Sequence, residues 1–136
     1  MKLVNASFLI DYTRGDDAAI AYLAAHDGEI IGALTIVLSE LYRGLMITQG
    51  MTQEGAMAKY EWMEPVPFMN GTAAEAAEIY VELRDDGEMI NKSDIDIAST
   101  ACSLGVSLVS VMVTSVLSTG WTSKHTEGNP EWTLNR

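Results

Sequence analysis

The chain has 136 residues, 48% of them apolar and 20% charged, which fits one domain large enough to bury a core. Its 19 acidic against 8 basic side chains leave a formal net charge of −11, which excludes broad electrostatic adhesion to nucleic acid or to an anionic membrane. So acidic a surface is what high-salt cytoplasm favours, because screening removes the self-repulsion, and a salt-loving, haloarchaeal-like source is expected.

Lys2 to Asn5 reads as a short buried strand, followed by Ser7 as an N-cap candidate ahead of Phe8, Leu9 and Ile10. Gly15-Asp16-Asp17 breaks that turn and opens a second helix, AAIAYLAA, which ends at His26-Asp27-Gly28. A very short strand is expected in EIIGA. Thr35 to Met46 then carries Leu38, Leu41, Tyr42 and Leu45 at helical spacing. After Gly50 a helix is predicted from Thr52 to Tyr60, and Trp62 to Phe68, with two prolines, reads as an edge or irregular strand.

From Gly71, TAAEAAEIYVELRDD forms an amphipathic helix ended by Gly87. Ser93 or Asp94 begins the next helix, closed by Gly105, and Val106 to Val113 is a β-branched run suited to a central strand. Strands alternating with helices predict a three-layer α/β/α fold around a mainly parallel central sheet. Ligand groups in such sheets gather beyond the carboxyl ends of the strands, where Asn5 stands. Residues 1–113 form the expected domain and 114–136 an atypical tail, its Gly, Pro, Thr and Asn suggesting a loose chain from about Thr122.

A single cysteine, Cys102, excludes an intramolecular disulfide and is expected as core filler in a reducing interior. The opening MKLVNASFLIDY is too short in apolar residues for a secretion signal, and no run approaches the roughly 20 apolar residues that span a bilayer. A cytoplasmic protein without membrane contact is expected.

Three separated segments each set one short polar side chain within apolar surroundings: Asn5 in VNASFLIDY, Glu40 in LSELYRG and Asp94 in KSDIDIASTA. An acid facing an apolar interior loses hydration and needs a partner or a cation. Each residue also has a structural reading. Asp94 caps a helix, Glu40 pairs with Arg43 one turn on, and Asn5 satisfies loop amides. Asp11 and Asp96 read as solvated helix acids, and His26 and His125 fall in loops unsuited to a general base.

Taken together, the three segments resemble the PIN-domain ribonucleases, in particular the VapC-type toxins of prokaryotic toxin–antitoxin pairs. In that family a first strand ends in Asp, a helical Glu precedes Arg-Gly, and an Asp opens an Ile-Ala-Ala-Thr-Ala helix. VNASFLIDYTRGD, SELYRG and DIDIASTA fill those places in order, over about residues 2–110. The resemblance implies RNA phosphodiester hydrolysis assisted by Mg²⁺ or Mn²⁺, hard ions held by oxygen ligands. It assigns metal binding and catalysis to Asn5, Glu40 and Asp94, and contact with substrate to Ser7 and Arg43. It further implies a VapB-like antitoxin partner and a homodimer.

Two departures from the family stand out. Asn5 replaces the first Asp, so one ligand lacks its charge, which at about 4 Å and an effective dielectric near 20 weakens attraction by several kcal/mol. Weak metal binding and weakened or lost activity are expected, and a catalytically dead module that sequesters antitoxin or RNA is the alternative. The second departure is the tail, where the family's Thr-x-Asp-x-x-Phe is missing. Of the 19 acids, only Glu127 and Glu131 follow Asp96. Shifting the codons of VMVTSVLSTGWT back by one nucleotide allows R-D-G-H-F-G-V-V-D-G-L-D, which restores that acid. A frameshift near Ser110 and a divergent tail both account for this.

Overall fold

The computed structural model describes residues 1–87, 91–109, 122–124 and 131–135, with side chains described as far as Val109. The chain divides into two compact units, Met1–Pro67 and Phe68–Arg136.

In the first unit, β1 (Lys2–Val4) is followed at once by α1 (Ala6–Thr13). Asn5, in extended backbone geometry, caps that helix, its side-chain oxygen accepting the Phe8 N–H at 3.0 Å. The cap is therefore Asn5 and not Ser7, because the β-region backbone needed at an N-cap coincides with the strand's exit. Ser7 lies inside the first turn, exposed. Asp16 caps α2 (Asp17–Ala25) in the same way through the Ala19 N–H.

β2 (Ile31–Leu34) is buried at all four residues and runs directly into α3 (Thr35–Gln49), which ends at Gly50 in the left-handed region, φ 63°. Thr52 caps α4 (Gln53–Lys59), and β3 (Glu64–Val66) follows. The three strands are parallel, ordered β3-β2-β1, with Leu3 opposite Gly32 and Gly32 opposite Glu64. Burial along the whole of β2 is expected of a strand covered on both faces. The buried core of this unit also includes Leu3 and Val4 of β1, Phe8 and Leu9 of α1, and Val37 and Leu38 of α3. Pro65 sits in the outer strand β3, where a missing ladder N–H is tolerated, as the sequence predicts.

In the second unit, α5 (Asn70–Asp85) packs on α6 (Lys92–Leu104), joining Ala76, Ile79 and Leu83 to the apolar core that α6 contributes through Ile95, Ile97, Ala98 and Ala101. Gly87 (φ 74°) follows α5. α6 starts earlier than Ser93 or Asp94, because Asn91 accepts the Ser93 N–H at 2.8 Å and so sets the cap upstream. Cys102 is partly exposed and is not core filler.

β4 (Ser107–Val109) pairs antiparallel with β6 (Glu131–Asn135), which pairs antiparallel with β5 (Thr122–Lys124). Parts of the stretch expected to be loose are thus strands, since a ladder satisfies backbone groups whatever the average composition. The rest of the predicted Val106–Val113 strand, beyond Val109, lies outside the described residues. So does His125.

Candidate metal centre

Asn5 stands where β1 hands over to α1, and the residue is only 7% exposed. Its oxygen is already directed at the Phe8 N–H. An amide oxygen of this kind is a hard ligand without charge, so it can add to a cation's shell but not neutralise it. Glu40 and Arg43 occupy the exposed face of α3, opposite the buried Val37, Leu38, Leu41 and Leu45. The one-turn pairing of Glu40 with Arg43 is not formed, for Arg43 makes no ion pair or hydrogen bond among the described residues. Asn5, Ser7, Glu40 and Arg43 all belong to the first unit.

Asp94 belongs to the second unit, in the first turn of α6. There the helix dipole favours an anion, yet burial pushes its carboxyl above the usual carboxylate range. Desolvation outweighs the dipole at this residue, and a cation would relieve the same penalty. Asp96 corrects the sequence reading. It is buried, not solvated, at 4% exposure, and its carboxylate accepts from Lys92 Nζ at 2.8 Å. The signal was present in KSDID, where Lys92 precedes Asp96 by one helical turn. His26 stacks on Tyr22 with ring centroids 4.0 Å apart, and its Nδ1 lies 2.8 Å from the Tyr22 carbonyl oxygen, a packing role.

Among the described residues no group of three or more His, Cys, Asp or Glu side chains is placed to hold a metal. Taken singly, an amide oxygen and carboxylates are donors of the chemical kind a hard divalent ion prefers, the amide without charge.

The sequence matches the model of the PIN domain over residues 2–111. The chain belongs to the PIN domain family. Its fold class is accordingly α/β, with a parallel central sheet flanked by helices, as the alternation of elements predicts. Solved structures similar to this PIN chain include VapBC2 from Rickettsia felis bound to a promoter DNA fragment. That match has a TM-score of 0.70 and 20% identity, covering 86% of this chain and 91% of the other. FitAcB from Neisseria gonorrhoeae matches with a TM-score of 0.71 and 19% identity, covering 88% and 94%. Mycobacterium tuberculosis VapC20, a toxin that cleaves the sarcin-ricin loop, matches with a TM-score of 0.65 and 17% identity, covering 87% and 95%. No curated protein matches the sequence. Among the described residues no helix of this PIN chain is long and apolar enough to cross a membrane.

Proposed function

We propose that this PIN chain is a VapC-type endoribonuclease toxin, cytoplasmic and partnered by a VapB-like antitoxin, with activity weakened at Asn5. The observation that carries the reading is the order of Asn5, Glu40 and Asp94 within the stretch matching the PIN domain. The likeness to structures of toxin–antitoxin complexes supports the partner. Bound Mg²⁺ or Mn²⁺ would supply a nucleophile from water and offset charge on the phosphate in the transition state. Glu40 and Asp94 would hold the ion as carboxylates, and Asn5 would add a neutral oxygen. Ser7, exposed in the first turn of α1, would orient phosphate or water, and Arg43 would meet the substrate's negative charge.

Asn5 also favours a second reading, a binding module that keeps the fold and sequesters antitoxin or RNA. Its side chain already has a structural task at the α1 cap. The tail belongs to the same question. The family match covers residues 2–111; we take the domain as 1–113 with an atypical 114–136, and we read the change as a frameshift near Ser110. Coding DNA whose shifted frame lacks Arg-Asp-x-x-Phe would refute that.

The enzyme reading is tested by Mn²⁺-dependent cleavage of structured RNA, comparing the natural chain with Asn5→Asp. Restoring the charge should raise cleavage at least about tenfold, given several kcal/mol of weakened ion attraction. Asp94→Ala should abolish whatever activity exists. RNA that stays intact with Asn5→Asp at high Mn²⁺ would leave only the binding module.

A further inference from the structure

At the far end of α1 from Asn5, a pocket of about 490 Å³ opens among α1, α2, α4 and the turn before β3. It is lined by Tyr12, Thr13, Ile20, Lys59, Tyr60 and Trp62, all of the first unit. The length of α1, Ala6–Thr13, sets it about 12 Å from the Asn5 cap, at about 1.5 Å per residue. No residue of the candidate metal centre takes part in it. Tyr12 and Trp62 meet edge to face, their ring centroids 5.5 Å and their planes 63° apart. Each ring braces the other and can cover only one of its faces, so a planar guest finds surfaces already ordered. Trp62 is nonetheless 42% exposed.

The polar groups of the pocket narrow the guest further. Thr13 Oγ lies 2.8 Å from the Leu9 carbonyl oxygen and 2.8 Å from the Tyr60 phenol oxygen. A hydroxyl has one proton, and Thr13 donates it to Leu9. The Tyr60 hydroxyl must then donate to Thr13 Oγ, which leaves the phenol oxygen only acceptor capacity. A guest that meets it has to bring an N–H or O–H. Lys59, one of only 8 basic residues, makes no ion pair or hydrogen bond among the described residues. Its ammonium repels the quaternary-ammonium guests that aromatic pockets otherwise favour and selects an anion. A peptide held by apolar contact would use neither the hydroxyl pair nor the ammonium.

We propose that this pocket binds a nucleotide, its base stacked on the Tyr12–Trp62 pair, a base N–H directed to Tyr60 and its phosphate beside Lys59. Stacking on aromatic side chains tolerates any base and needs no broad basic surface. A chain of net charge −11 can therefore hold a nucleotide here without the general adhesion that its charge excludes. A free mononucleotide and an unpaired nucleotide of single-stranded RNA offer this same chemistry. Neither metal nor cleavage enters, so the inference does not rest on the nuclease reading.

Calorimetric titration with AMP and with a short oligoadenylate, in EDTA to keep metal chemistry out, tests the pocket on the full chain. Both should bind. Equal affinity marks a free nucleotide as the ligand, and a much tighter oligoadenylate marks a strand. Trp62→Ala should weaken both about 10- to 100-fold, the effect of losing one stacking surface. For the oligoadenylate, log K should fall against log salt with a slope of about −0.7, that of a single phosphate contact. Lys59→Gln, at an exposed position, should flatten that slope and leave the binding of adenosine, which lacks the phosphate, unchanged. Urea midpoints show that both variants are folded. No binding of AMP or oligoadenylate at millimolar concentration would overturn the proposal. So would a folded Trp62→Ala chain that binds as the natural one does, or a slope that survives Lys59→Gln. Absence of binding would leave the enzyme reading standing, and RNA that binds here yet stays intact with Mn²⁺ would count only against that reading.

Discussion

Asp94 shows at one residue how a candidate site opposes the fold. Burial raises its carboxyl above the ordinary value of 3.8, so folding favours the protonated form. The sign follows from linkage. The stability tied to this group is fully present at pH below 3.8 and is lost as pH rises through the raised value. At neutral pH the ionised group therefore costs the fold. Asp94→Asn should raise the thermal midpoint at pH 7, and the gain should vanish once the pH falls below the ordinary carboxyl range. Solvent at this partly exposed position keeps the gain below about 1 kcal/mol. Calorimetry at neutral and acidic pH checks it, and an equal gain at both would show that desolvation is not the cause. The identity of Asp94, Glu40 and Asn5 as candidates was legible because each breaks an apolar run. The burial of Asp96 was not read, since a helix's rotation about its axis decides which of two acids two residues apart faces inward.

At the scale of elements, Gly32 is the described glycine with the closest surroundings. A Cβ there would lie 3.0 Å from Met1 Sδ and 3.0 Å from Val66 Cγ2. Met1 sits at a flexible chain end and can yield, but Val66 is 6% exposed within β3 and cannot easily do so. Gly32→Ala should therefore separate β2 from β3 and destabilise the chain by about 1–3 kcal/mol, the range for overpacked cores. Urea unfolding would measure it; an unchanged midpoint would mean that β3 shifts freely. This glycine looks like a mere gap within EIIGA, for no linear pattern shows which side chains cross above it. Helix existence was legible throughout the first unit, and the starts of α2, α3 and α4 with it, whereas those of α1 and α6 were displaced by one or two residues. Asn5 and Asn91 explain this, because each is a capping amide whose partner, Phe8 or Ser93, emerges only once the backbone turns. The antiparallel β6 was hidden by averaging a short alternating run, EWTLN, with the Gly- and Pro-containing residues before it.

Over the whole molecule the dominant quantity is charge. With a net −11 and a sequence pI near 4.3, folding at neutral pH gathers like charges that the unfolded chain holds farther apart. Added salt shortens the reach of that repulsion, from about 10 Å at 0.1 M to about 3 Å at 1 M. The thermal midpoint should therefore climb by several degrees between those concentrations of KCl at pH 7. Salt also strengthens apolar burial, so a rise alone would not identify the cause. Repeating the titration near pH 4.3, where the net charge vanishes, separates the two. Self-repulsion predicts that most of the gain disappears there, while strengthened burial predicts that it persists. Persistence would remove the electrostatic ground for reading this surface as one fitted to concentrated salt.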